Sequence, residues 1–130
     1  MKAYINPNSP HFFAFNIWDI ASAKSIMDAA QIKQKPIILQ TSMKAFSLMD
    51  LEAMRFFVTT YAKKKAIPVY LHLDHCKKIE MIQEAIATGW DSVMIDASDK
   101  LLDENMELTN YVTELAPVSY THLRAHETGR

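Results

Sequence analysis

The sequence predicts an α/β fold with a parallel sheet, arranged as the first four βα units of an eight-stranded barrel, and three observations carry that prediction. Short apolar runs alternate four times with longer segments of helical period, the pattern of βα units. Each unit takes roughly thirty residues, the size of a strand with its crossover helix. Polar residues end every strand, at Asn16, Ser42, Asp74-His75 and Asp96-Ala97-Ser98. A doubly wound sheet gathers its ligand at one switch point, whereas a (β/α)8 TIM barrel of about 250 residues builds its site from all its strand ends. A partial TIM barrel is therefore the predicted fold.

The first strand is read over residues 12–17, and Asp19 is a good N-cap for a helix with Ile20, Ala23, Met27 and Ala30 on one face, ended by Pro36. The second strand, 36–40, centres on Ile37-Ile38-Leu39. Its helix starts near Asp50 and repeats Leu51, Met54, Val58 and Tyr61 at three- and four-residue spacing. Lys63-Lys64-Lys65 fall in the last turn, where positive charge complements the helix dipole, and are read as a solvated helix end rather than an anion site. Pro68 opens the third strand, 69–73; the following helix aligns Ile79, Ile82 and Ile86 before Gly89 supplies a left-handed C-cap. The fourth strand spans 91–95, and a last helix from about Asp103 is expected to bury Leu108, Tyr111, Val112 and Leu115.

Composition narrows the function. With 14 basic and 15 acidic residues and a formal charge of -1, the chain has no electrostatic footprint for nucleic acid. No stretch approaches the ~20 apolar residues that span a bilayer, so no membrane partner is expected. The N-terminus lacks the apolar run of a secretory signal, and the single cysteine fits a reducing compartment; cytoplasm is the expected location. Gly89 and Gly129 are the only glycines, too few for a phosphate loop or a dinucleotide fingerprint.

Chemistry concentrates in His72-Leu73-Asp74-His75-Cys76, where the third strand gives way to a helix. A strand-end histidine can supply one metal ligand, but catalytic zinc takes three protein ligands, so two partners must come from elsewhere. Spacing leaves open whether His72 or His75 faces the barrel mouth. Asp74 suits general acid/base work if its surroundings tune it, and equally suits an N-cap for a helix starting near Lys77. Cys76 is read as a buried small hydrophobe rather than a nucleophile.

Asn16 in Phe-Asn-Ile, then Pro36-Ile37-Ile38-Leu39-Gln40-Thr41-Ser42, then His72-Leu73-Asp74-His75-Cys76, then Met94-Ile95-Asp96-Ala97-Ser98 follow in an order and spacing that resembles the N-terminal half of a class II, zinc-dependent ketose-bisphosphate aldolase. That group includes fructose-bisphosphate and tagatose-bisphosphate aldolases. The resemblance covers about residues 12–116 and itself implies a (β/α)8 barrel. It implies that Asp74 is the catalytic aspartate, exchanging a proton with the substrate's C4 hydroxyl as the C3–C4 bond breaks or forms. It implies that His75 is the first zinc ligand, the Zn2+ acting as a Lewis acid on the ketone oxygen of a phosphorylated ketose that yields dihydroxyacetone phosphate and an aldehyde. Asp96 matches a carboxylate associated with a second metal position, and Asn16 and Ser42 match polar residues near the substrate. A homo-oligomer is expected for the full-length form.

The family's other two zinc ligands and its glycine-rich phosphate loops lie on later strands, which this sequence does not include, so the 130 residues are expected to be inactive alone. Residues 1–116 are read as the N-terminal half of the barrel. Residues 117–130 are read as a non-native or disordered tail, polar and similar to translated sequencing-adaptor read-through. His122 and His126, four apart, carry a ligand spacing on a helical turn, yet the tail's sequence has no packing signal that would place them over the strand ends. The competing readings are a different barrel lyase, disfavoured because no strand ends in a lysine placed like Asp74, and a non-catalytic half-barrel that pairs with a partner.

Overall fold

The computed structural model describes residues 12–116 and the backbone of His122–Ala125. Strands β1 (Phe13–Asn16), β2 (Ile37–Thr41), β3 (Val69–Cys76), β4 (Ser92–Ile95) and β5 (His122–Ala125) form one sheet in the order β1-β2-β3-β4-β5, every neighbouring pair parallel. Each strand adds to the same side of its predecessor. A doubly wound sheet reverses direction at a switch point, so the unreversed order decides for part of a barrel.

Helices α1 (Ile20–Lys33), α2 (Met43–Leu48), α3 (Leu51–Lys65), α4 (Ile79–Thr88) and α5 (Leu102–Leu115) connect the strands. Asp19 and Asp50 cap α1 and α3 as their sequence predicts, accepting from the amides of Ser22 and Ala53. Gly89 ends α4 at φ 88°, the left-handed region where only glycine is unstrained. Three features depart from the sequence-based expectation. Ser42 is the N-cap of the unexpected α2, accepting from Ala45 N–H. β3 runs three residues further than expected, through Asp74, His75 and Cys76. The polar tail contributes β5, paired with β4 from Ser92↔His122 to Ile95↔Ala125; residues 117–121 and 126–130 lie outside the described residues. Because the backbone is extended through His122, the helical turn needed to bring His122 and His126 together does not form there, and His126 itself is outside the described residues.

The core lies between the sheet and the helices. Leu39, Leu71, Leu73, Val93 and Ile95 point outward onto Ala23, Met27, Met54, Val58, Ile82 and Val112, all of them buried. Trp90 packs edge-on against Phe46 of α2 within this layer, ring centroids 5.3 Å apart. Two expected core positions are solvent-facing. Ile20 stands in the first turn of α1, and Tyr111 on α5 reaches α4 through its hydroxyl, which accepts from Gln83 Nε2 at 3.3 Å; of the four positions expected inside on α5, only Val112 is fully buried.

One polar pin ties the α3–α4 layer to the sheet. Asp91 Oδ2 accepts from Arg55 Nη1 and from the backbone N–H of Leu71, both at 2.8 Å, while Asp91 N–H donates to Leu71 O at 2.9 Å. Replacing Asp91 with alanine orphans the Leu71 amide, so Asp91→Ala should destabilise the fold by about 1–3 kcal/mol and Arg55→Ala by less. Urea unfolding of the two variants checks this; equal, negligible shifts would contradict the pin.

Candidate active site at the strand ends

A regular strand alternates its side chains between faces, so Asp74 and His75 should point oppositely. They do not. Between the register pairs Leu73↔Val93 and Cys76↔Ile95, β3 advances three residues while β4 advances two, and β3 therefore holds one extra residue. His75 takes it up with φ 47°. Such a bulge re-aims the chain, and histidine is among the few non-glycine residues enriched in this region. Leu71, Leu73 and Cys76 stay buried against the helices, while His72 and Asp74 share the opposite face and His75 joins them.

The resulting cluster is compact. Asp74 Oδ1 lies 3.5 Å from His72 Nε2, and Asp74 Oδ2 lies 3.9 Å from His75 Nε2. His75 Nδ1 stands 3.3 Å from Asp96 Oδ2, brought in by the end of β4, whose chain is fixed by Asp96 N–H donating to Cys76 O at 2.8 Å. The His75 side chain is about half exposed (51%), open to a ligand, while that of Asp96 is only 10% exposed. The Ser98 hydroxyl first of all, then the Ser98 N–H, His75 and Lys77, hold the Asp96 carboxyl down at about 2 against the opposing effect of burial. Asp96 is thus a firmly ionised carboxylate facing a ring nitrogen, the arrangement that orients a metal-binding imidazole and leaves its other nitrogen as the donor.

The capping role for Asp74 is excluded, since α4 begins beyond it at Ile79 with Lys78 as N-cap. Cys76 is a buried structural thiol: burial pushes its pKa up, and its Sγ–H donates to Lys78 O. Asn16 and Ser42 sit at the ends of β1 and β2. Asn16 Oδ1 accepts from Gln40 Nε2 at 3.2 Å, and the Ser42 hydroxyl oxygen caps α2.

Sequence reading missed Gln40 and Ser92. The register sets Asn16, Gln40, His72 and Ser92 side by side across four strands, and the row is polar throughout. The available signal was one polar residue in each of four successive apolar strands. Among the described residues there is no group of three His, Cys, Asp or Glu side chains able to hold a metal ion. The donor set fits one corner of a zinc site, the His75 imidazole, and not a whole one. No helix of the described residues is long and apolar enough to cross a membrane.

The profile of the family described as fructose-bisphosphate aldolase class-II matches residues 5–121. The fructose-bisphosphate aldolase of Helicobacter pylori is 36% identical over 104 residues, which are 79% of this chain and 34% of that protein. The sulfofructosephosphate aldolase of Alkalicoccus urumqiensis is 34% identical over 103 residues, 79% of this chain and 36% of its own. The crystal structure of the YdjI aldolase from Escherichia coli K12 superposes with a TM-score of 0.78 at 26% identity, covering 88% of this chain and 43% of that one. The chain spans about a third of the length of these curated relatives.

The Asp96 environment sets a pH dependence. A carboxyl held at about 2 in the fold and at 3.8 when unfolded stabilises the fold above 3.8 and loses that contribution as pH falls through about 2. Asp96→Asn should be less stable than wild type at neutral pH, with the difference closing over that acid window. Denaturant melts from neutral pH down to about 2 read this directly; a constant difference would contradict it.

Proposed function

The chain belongs to the class II fructose-bisphosphate aldolase family, and from that premise we propose that it forms the N-terminal part of a zinc-dependent ketose-bisphosphate aldolase. The reaction is the reversible aldol cleavage of a phosphorylated ketose to dihydroxyacetone phosphate and an aldehyde such as glyceraldehyde 3-phosphate. The observation that supports this best is the bulge in β3, which turns two consecutive side chains, a carboxylate and an imidazole, to the same face beside the carboxylate that follows β4.

In this reading Asp74 is the general acid/base. Its carboxylate takes the proton from the C4 hydroxyl as the C3–C4 bond breaks, and returns it in the aldol direction. His75 is one zinc ligand through Nε2, with Asp96 orienting its ring; the proposed role of Asp96 at a second metal position draws on the same carboxylate. The remaining zinc ligands come from outside the described residues. Bound zinc supplies Lewis-acid charge at the ketone oxygen. Asn16 and Ser42 contact the substrate, Asn16 from a position fixed by Gln40. Phosphate binding has no counterpart among these residues, so the 130-residue chain alone does not turn over. The complete enzyme is a cytoplasmic homo-oligomer in this account.

Reading the source DNA beyond codon 116 should reveal two further histidines and glycine-rich loops, and the absence of both would defeat the proposal. In the enzyme so completed, Asp74→Asn should lower bisphosphate cleavage by roughly 10²–10⁴-fold with zinc still bound. Robust cleavage by the 130-residue chain with added zinc would contradict the claim that its site is incomplete.

A further inference from the structure

His72 has no part in the chemistry above, yet its side chain is braced at the strand end. Its ring is only 13% exposed and lies between two strands' polar groups: Nδ1 is 2.6 Å from Ser92 Oγ on β4, and Nε2 faces Asp74 Oδ1 at 3.5 Å. Its backbone is held from the other side, where the buried Thr41 hydroxyl donates to His72 O at 3.1 Å and Trp90 Nε1 donates to that hydroxyl at 3.3 Å. We infer that His72 is a positioning residue for Asp74, with Ser92 setting its tautomer. A Ser92 hydroxyl that donates to Nδ1 places the ring proton on Nε2, the nitrogen that faces Asp74. In that tautomer Nε2–H faces Asp74 Oδ1 from 3.5 Å, while Oδ2 is turned toward His75. A carboxylate that rotates freely presents its reactive oxygen for only part of the time, and misplacement by about 1 Å can cost roughly 10²-fold in rate.

The inference rests on the aldolase reading, and the experiment separates the two. In ¹⁵N-histidine-labelled chain, magic-angle-spinning NMR reads the imidazole nitrogens, with the His72 signals assigned by their loss in His72→Gln. Wild type should show the Nε2–H tautomer, and Ser92→Ala should add the Nδ1–H form. In the enzyme completed by its downstream strands, His72→Phe should lower kcat by roughly tenfold to 10²-fold with KM little changed. His72→Gln, whose amide keeps a donor toward Asp74, should recover most of that loss. An Nδ1–H tautomer in wild type, tautomer signals indifferent to Ser92→Ala, or an active enzyme whose kcat is unmoved by His72→Phe would overturn the inference and leave the aldolase reading intact. An inert wild-type enzyme with its zinc ligands present would overturn that reading, and the positioning role with it.

Discussion

The site depends on one extra residue in β3. Without it, strand alternation would send His75 into the helix layer, where Cys76 now lies, and Asp74 would have His72 but no His75 beside it at the strand end. With it, the chain turns through a left-handed conformation at His75, and two consecutive polar side chains face the same side. A positive φ at a non-glycine residue costs of order 1–3 kcal/mol and persists only where the surroundings over-determine it.

Those surroundings are visible. On the far side of the bulge Asp96 N–H holds Cys76 O, and the Cys76 thiol is buried and bonded to Lys78 O. On the near side His72 is held through its backbone by Thr41 and through its ring by Ser92. Lys77 N–H, just beyond, donates to Met43 Sδ at the start of α2, so the short helix braces the loop that follows the bulge. The strain is local, and the strands on either side carry it. This is a common division of labour in barrels, where the helix-facing side of each strand supplies stability and its C-terminal end supplies chemistry.

Much of this was legible in the sequence because it follows from periodicity and capping. Ile37-Ile38-Leu39 and the Ile79, Ile82, Ile86 spacing announce a strand and a helix, and Asp19, Asp50 and Gly89 mark helix ends whose geometry the structure reproduces. What escaped is what periodicity cannot carry. Helix α2 has six residues, too few to display a face, and its cap Ser42 reads equally well as a strand-end polar residue. The bulge uses no glycine and leaves no mark on composition. β5 is polar and short, and its pairing comes from β4's free edge rather than from its own apolar pattern. Ser92 is unremarkable until the β3–β4 register sets it opposite His72. Asp74 and His75 were found as candidates, but their convergence was a matter of backbone geometry.

A crystal structure of the zinc-loaded enzyme tests the central claim most directly, through the backbone at His75. The account predicts φ near 47°, His75 Nδ1 within hydrogen-bond reach of Asp96, and Asp74 and His75 on one face. A regular β3, with His75 at negative φ and its ring among the helices, would contradict it.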